Sequence, residues 1–252
     1  RSAEENEYAS SLVALDATTG EEVWHFQTVH HDVWDYDLGS QVTLVDFPAD
    51  GGTVPALILP SKQGQIYVLN RETGESLFPV EERPAPKLGS VEPDYISDTQ
   101  PYSGYANLNQ PPLTEKDMWG MSPIDQLWCR IQFRRANYAG QFTPPSADKP
   151  FIQYPGYNGG SDWGSVSVDT ERGILIANYN DMPNYNQLIP REEADARGVT
   201  RAGGCHLPEC CVPSRLMVGS GALIWPPVRP CGTSRSARPK TTGRLAFHQC
   251  CR

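Results

Sequence analysis

The chain has 252 residues, of which 22 are glycine and 23 are proline, and its formal net charge is −9 at neutral pH. This length allows one large domain or two small ones. The negative charge argues against nucleic acid as a partner, because phosphate binding needs a basic surface. Glycine and proline make up about 18% of the residues against an average of roughly 12%, which favours a turn-rich, all-β fold.

The first predicted element is a β-hairpin over residues 11–27, SLVALDATTGEEVWHFQ. Apolar residues alternate with polar ones on both sides of a turn that starts at Asp16 and ends at Gly20. We expect the Asp16 side chain to bond the turn amides and Gly20 to adopt a positive φ. The second strand carries Trp24.

The densest polar cluster follows at residues 30–37, HHDVWDYD. In an extended backbone, Asp35 and Asp37 share one face, while Trp34 and Tyr36 take the other. Carboxylates beside histidines can act as a general base or bind a hard cation. A solvated polar turn is the alternative interpretation.

The hairpin pattern occurs twice more along the chain. Residues 66–78, IYVLNRETGESLF, place Gly74 at 54 positions after Gly20 and end in Phe78 where the first hairpin has Trp24. Residues 165–178 repeat the strand, turn and strand. Such an interval is typical of the blades of a β-propeller, which run about 40–50 residues.

Three further residues stand out, although each has an ordinary interpretation when taken alone. Lys62 lies between two apolar strands and reads as a surface charge. Trp163 lies among glycines in GGSDWGS and reads as a packing aromatic. Asn178 closes a strand and reads as a turn former.

Two segments lack a clear strand pattern. Residues 79–118 are rich in proline and are predicted to be a long coil. Residues 117–145 are aromatic and carry Arg130, Arg134 and Arg135, which can bind an anionic substrate or pair with the excess acids of the chain. A helical period is found only in the short stretch 192–197.

These motifs together resemble a known family. TVHHDVWDYDLGSQVTLVDF, PSKQGQIYVLNRETGE, DMWGMSPIDQLWCRIQFRR and YPGYNGGSDWGSVSVD are similar, in order and spacing, to the carboxy-terminal half of the membrane-bound quinoprotein dehydrogenases of the glucose/quinate/shikimate group. The resemblance covers roughly residues 8–192. It implies an all-β, eight-bladed propeller of which about half the ring is present, with the hairpins acting as tryptophan-docking repeats between blades.

The resemblance also implies roles for single residues around the family's cofactor, pyrroloquinoline quinone (PQQ). Asp35 matches the catalytic base, Lys62 the lysine that bonds the quinone oxygens, and Asn178 a cofactor-contacting asparagine, while Trp163 falls where the family lines the cofactor pocket. A nearby cation is expected to keep Asp35 ionised. No metal ligand is assigned to this chain, because most ligands of the Ca²⁺ or Mg²⁺ ion belong to the family's amino-terminal part.

The implied activity is PQQ-dependent oxidation of a sugar or cyclitol alcohol such as glucose, quinate or shikimate, with ubiquinone as electron acceptor. The implied location is the periplasmic side of the bacterial inner membrane, with anchoring through an amino-terminal region outside this chain. We expect the chain by itself to be inactive. The alternatives are a non-catalytic propeller scaffold that binds protein partners and, more remotely, a metal-dependent hydrolase built on His30, His31 and Asp35.

The composition changes after residue 200. Residues 201–252 hold six of the seven cysteines, and eight Lys and Arg residues against one acid, Glu209. The resemblance stops at the same place. We therefore predict that residues 1–200 are the partial propeller domain and that residues 201–252 are an out-of-frame, disordered tail.

Overall fold

The computed structural model describes residues 2–109, 111–196 and 198 and, beyond them, only the backbone of two strands at 218–224 and 245–246. Within this part of the chain, no helix is long and apolar enough to cross a bilayer. The helices and strands, in chain order, are α1 (Ala3–Tyr8), β1 (Ser11–Leu15), β2 (Glu22–Gln27), β3 (Thr43–Ala49), β4 (Gly52–Pro60), β5 (Gln65–Asn70), β6 (Val80–Pro84), β7 (Thr99–Ser103), β8 (Ala106–Asn107), α2 (Pro123–Arg135), β9 (Phe151–Gln153), β10 (Val166–Asp169), β11 (Ile174–Asn180), β12 (Asn184–Asn186), α3 (Arg191–Ala196), β13 (Val218–Ile224) and β14 (Leu245–Ala246).

The strands form five small sheets. Two sheets have four strands, in the orders β3-β4-β5-β8 and β10-β11-β13-β14, and the pairs β1-β2, β6-β7 and β9-β12 form the others. The second half of β4 and almost all of β5 are buried, because their apolar runs are continuous rather than alternating. Ile58, Ile66 and Val68 of this central sheet pack against Leu175 and Ala177 of β11, which joins the two larger sheets in one core.

The first hairpin has the predicted turn. Oδ1 of Asp16 accepts hydrogen bonds from the amides of Thr18 and Thr19 at 2.7 and 2.9 Å, and Gly20 has a φ of +75°. The second hairpin uses Asn70 in the same way. In both hairpins, a short polar side chain at the start of the turn thus stabilises it by accepting hydrogen bonds from its backbone amides.

The proline-rich segment differs from the predicted coil. It contains the antiparallel pair β6-β7, in which Glu82 lies opposite Pro101 and Pro84 lies opposite Thr99. In a two-stranded sheet each strand has one edge that pairs with no other strand. A proline whose nitrogen faces this free edge does not disrupt the hydrogen bonds between the two strands. Proline content alone was therefore a poor sign of coil.

Helix α2 was not predicted, whereas α3 falls at the stretch that showed a helical period. A capping box starts α2: Ser122 Oγ accepts from the amide of Asp125 at 3.2 Å, and the Asp125 carboxylate accepts from the amide of Ser122 at 3.1 Å. Its inward side carries Cys129, which is fully buried and disulfide-bonded. Apolar residues also cover the outward side, so the helix lacks the one-sided period that reveals most helices.

Most of the tail, residues 201–252, lies outside the described residues. Within it, the backbone of β13 pairs antiparallel with β11, so that Ser220 lies opposite Asn178. The boundary at residue 200 and the change of reading frame stay predictions.

Candidate functional site

The site is built on the loop that follows β2. The Asp32 carboxylate is buried and accepts hydrogen bonds from the amides of Trp34 and Tyr36, each at 2.9 Å. The indole of Trp34 and the ring of Tyr36 are both buried and pack against Phe142. With these two rings turned inward, the residue between them, Asp35, faces outward.

The backbone at Asp35 departs from the extended conformation considered above. Its φ is +64°, in the left-handed region that aspartate tolerates better than most side chains do. The alternation of faces is nevertheless as predicted, since Trp34 and Tyr36 are buried while Asp35 and Asp37 are exposed. Two carboxylates therefore lie on one open face.

Lys62 lies beneath these carboxylates. Its Nζ is 2.5 Å from Oδ1 of Asp37, 3.4 Å from Oδ2 of Asp35 and 3.1 Å from the Asp35 carbonyl oxygen. The Lys62 side chain is only 10% exposed, whereas those of Asp35 and Asp37 are 69% and 58% exposed. Asp37 was not among the predicted site residues, although its position two residues after Asp35 placed it on the same face.

Burial and neighbouring charges shift the pKa values of Asp35 and Lys62. Desolvation raises the pKa of Asp35, Lys62 opposes this rise, and the neighbouring Asp37 adds to it. Loss of hydration thus outweighs the positive charge of Lys62 in this shift, and the expectation that a nearby cation keeps Asp35 ionised stays a prediction. Burial lowers the pKa of Lys62, but the hydrogen bond to Asp37 and the two negative charges outweigh burial and raise it. Lys62 thus stays charged at neutral pH, and Asp35 is a stronger base than an ordinary aspartate.

Glycines connect Lys62 to the next part of the site. The amide of Gly160 donates to the Lys62 carbonyl oxygen at 2.6 Å, and the amide of Asn180 donates to the Gly160 carbonyl oxygen at 2.7 Å. A Cβ on Gly159 would lie 2.7 Å from Cγ of Lys62, and Gly159 has a φ of +82°. Only glycine allows this segment to pass so close to the lysine.

Trp163 and Asn178 both follow this glycine segment in the chain. Trp163 is 84% exposed, on a loop that Ser40 fixes by donating to the Asp162 carbonyl oxygen at 2.7 Å. Asn178 points outward from β11, and its Nδ2 lies 3.7 Å from where a Cβ on Gly164 would be. The structure thus brings Asp35 and Lys62 into direct contact, while Trp163 and Asn178 are linked to Lys62 through backbone.

Two other predicted features lie elsewhere. Arg130 and Arg134 both pair with Glu115, so the arginines bind an acid of the chain itself. Across the described residues, no group of three or more His, Cys, Asp and Glu side chains is arranged to hold a metal ion.

Comparison with known proteins decides the family. Residues 1–210 match the family model described as "PQQ: Glucose/ethanol/alcohol dehydrogenase, beta-propeller domain". The chain belongs to this family. The match to this family confirms the prediction that the chain resembles the quinoprotein dehydrogenases. The match and the small antiparallel sheets together confirm the predicted partial β-propeller.

Several members of the PQQ dehydrogenase family are close in sequence. The chain is 63% identical over 201 residues to the glycerol dehydrogenase large subunit of Gluconobacter oxydans, covering 79% of this chain and 27% of that protein. It is 42% identical over 220 residues to the quinoprotein glucose dehydrogenase of Escherichia coli, covering 84% and 27%. It is 43% identical over 206 residues to the probable quinate dehydrogenase (quinone) of Xanthomonas campestris pv. juglandis, covering 81% and 25%. The chain thus spans about a quarter of the length of these relatives.

Proposed function

We propose that this chain forms part of a quinoprotein dehydrogenase that oxidises an alcohol group of a polyol or sugar, with Asp35 as the base. The observation that carries the proposal is the position of the buried Lys62 ammonium, 3.4 Å from Oδ2 of Asp35 and below an open face. Asp35 and Asp37 offset the cost of burying this ammonium, and their own carboxylates are 69% and 58% exposed on that face. A propeller that serves only as a scaffold for protein partners has no need of this arrangement.

The residues present fit PQQ, a planar quinone that carries carboxylates. Lys62 supplies a fixed positive charge, and Asn178 supplies an amide on an outward strand face. Trp163 exposes a large ring of the kind that packs on planar ligands. A divalent cation, Ca²⁺ or Mg²⁺, would take most of its ligands from other parts of the full-length protein.

The chemistry that bound PQQ supplies is that of an electrophilic ortho-quinone, which accepts a hydride equivalent from a carbinol carbon. Asp35 accepts the hydroxyl proton of the substrate on its carboxylate, which a raised pKa makes more basic. Lys62 holds positive charge where negative charge develops during the reaction. Asp37 keeps Lys62 protonated and fixed at 2.5 Å.

Two features of the chain bear on the substrate class. The carboxylates of Asp35 and Asp37 accept hydrogen bonds of the kind that the hydroxyl groups of polyols and sugars donate. Arg130 and Arg134 pair with Glu115, so they are less available to bind a carboxylate substrate such as quinate or shikimate. The identity of 63% to a glycerol dehydrogenase, against 43% to a probable quinate dehydrogenase, also favours a polyol. We further propose ubiquinone as electron acceptor and a location at the periplasmic side of the inner membrane.

The experiment uses the full-length protein that contains this sequence, loaded with PQQ and Ca²⁺. Asp35→Asn should abolish oxidation of glycerol and glucose while PQQ still quenches protein fluorescence, and Lys62→Ala should weaken that quenching. Lys87→Ala is the matched control, because Lys87 forms a surface pair with Asp98 and should change neither measurement. Full activity in Asp35→Asn would refute the role of Asp35, and unchanged quenching in Lys62→Ala would refute that of Lys62.

A further inference from the structure

A pocket of about 560 Å³ lies apart from the group around Asp35. This volume is within the range of pockets that hold small molecules. Strands β6, β7 and β8, the loop after β8 and the loop after α2 contribute its walls, and neither Asp35 nor Lys62 lines it. We name it the tyrosine–amide pocket after six of its lining residues: Tyr102, Asn107, Asn109, Tyr138, Gln141 and Tyr154.

Hydrogen bonds to the backbone fix which end of two of these amide groups is free. The Gln63 carbonyl oxygen, which can only accept, receives a hydrogen bond from Nε2 of Gln141 at 2.8 Å, so Oε1 of Gln141 is left as an acceptor. Oδ1 of Asn107 accepts from the backbone amide of Asn109 at 2.7 Å, so Nδ2 of Asn107 is left as a donor. Neither free end has a hydrogen-bond partner among the described residues.

Two tyrosine hydroxyls add further hydrogen-bonding groups. Tyr138 Oη accepts from the backbone amide of Leu113 at 3.0 Å, so its own proton remains to be donated. Tyr102 Oη has no hydrogen-bond partner within the part of the chain that the structure describes. Burial raises the pKa of Tyr102, so this hydroxyl is uncharged at neutral pH and can both donate and accept.

The charges at this pocket do not favour an ionic ligand. Arg83 is the one charged residue among the described residues that line it. Its guanidinium donates to Oε2 of Glu81 at 2.7 and 2.9 Å and lies 4.4 Å from the centre of the Tyr102 ring. Glu81 thus balances the charge of Arg83, and no carboxylate lines the pocket to attract a cation.

We propose that the tyrosine–amide pocket binds a neutral carbohydrate, at a site separate from the group around Asp35. A sugar hydroxyl both donates and accepts hydrogen bonds, so neighbouring hydroxyls match the donor of Asn107 and the acceptor of Gln141. The C–H faces of a sugar ring can pack on tyrosine rings, which combine an apolar body with a polar tip. A hydrocarbon ligand would leave the polar groups of the pocket unpaired. This inference does not depend on the role proposed for Asp35.

The test uses the full-length protein that contains this sequence, prepared without PQQ so that no sugar is oxidised. Binding of glucose is measured by saturation-transfer NMR over a series of concentrations. Tyr102→Phe removes one hydroxyl, keeps the ring, and should weaken glucose binding about threefold to tenfold. Gln141→Leu should weaken it by a similar factor, while Asn109 still donates to the Gln63 carbonyl oxygen at 2.6 Å. Tyr105→Phe is the matched control, because Tyr105 packs against the core and does not line the pocket.

Circular dichroism of each variant verifies that it is folded. Asp35→Asn should leave glucose binding to the PQQ-free protein unchanged. Absence of glucose binding, or equal effects of Tyr102→Phe and Tyr105→Phe, would overturn the proposal. Binding that Asp35→Asn abolishes and Tyr102→Phe does not change would place the sugar at the group around Asp35, and would overturn this proposal while leaving the proposed function intact. Binding of gluconate about tenfold or more tighter than that of glucose would show that Arg83 is free to bind a carboxylate, and would overturn the proposed class of ligand.

Discussion

Trp24 of the first hairpin lies directly over Gly74 of the second. Its Nε1 donates a hydrogen bond to the Arg71 carbonyl oxygen at 3.3 Å, and a Cβ built on Gly74 would lie 2.7 Å from the indole ring. Gly74 also has a φ of +76°. The glycine thus serves both the turn and the contact with the tryptophan, and the two hairpins are joined as expected of tryptophan-docking repeats.

This arrangement predicts unequal effects of alanine at two glycines with nearly the same φ. Gly20 has a φ of +75° with no atom within 4 Å of an added Cβ, so Gly20→Ala should cost only the backbone strain, about 1 kcal/mol. Gly74→Ala adds a collision with Trp24 and should cost about 1–3 kcal/mol more. Urea unfolding of the two variants measures the difference. Equal losses would show that the indole moves away without cost.

Asp32 is predicted to stabilise the loop that presents Asp35. Its carboxylate accepts from the amides of Trp34 and Tyr36 and from Ser10 Oγ at 2.9 Å, in a buried position. Asp32→Ala should therefore lower the free energy of unfolding by about 3 kcal/mol, because buried donors lose their acceptor. Asp16→Ala removes a similar but exposed turn bond and should have a smaller effect. A loss no larger in Asp32→Ala than in Asp16→Ala would argue against this role.

The pKa of Lys62 should depend more on Asp37 than on Asp35. The hydrogen bond to Asp37 is the strongest of the contacts that raise it, while Asp35 is farther from the ammonium. Asp37→Asn should thus lower the pKa of Lys62 more than Asp35→Asn does, as measured by NMR titration of the lysine side chain. Asp98→Asn, beside Lys87, serves as a control that leaves Lys62 unchanged. The reverse order would mean that Asp35 is the main partner of Lys62.

The raised pKa of Asp35 predicts a direction for stability against pH. The folded state retains the Asp35 proton to a higher pH than the unfolded state, whose ordinary pKa is 3.8. Asp35 therefore makes the free energy of unfolding fall as pH rises from about 4 through its folded pKa. Asp35→Asn should remove this fall, so the variant gains stability relative to the parent chain above that range. Parallel curves of unfolding free energy against pH for the two proteins would contradict the shift.

The predictions that held rest on local patterns. Alternation of side chains placed Asp35 and Asp37 on one face, and the turn residues Asp16 and Gly20 behaved as their chemistry requires. The prediction that failed most clearly concerned α2, whose apolar residues lie on both sides. Its capping box and Pro123 were the signals that could have revealed the helix, because they depend on neighbours in the chain rather than on packing.

The sequence by itself determined the hairpins, the family and the residue types at the site, because turn chemistry and strand alternation act over a few residues. The tertiary structure decided that Lys62 lies between Asp35 and Asp37, since these residues are 27 and 25 positions away from it, respectively, and meet it only through packing. It also decided the pKa of Asp35, because desolvation depends on everything that surrounds the carboxylate. Hydration and charge at a site are properties of the folded surroundings, and no local pattern of residues specifies them.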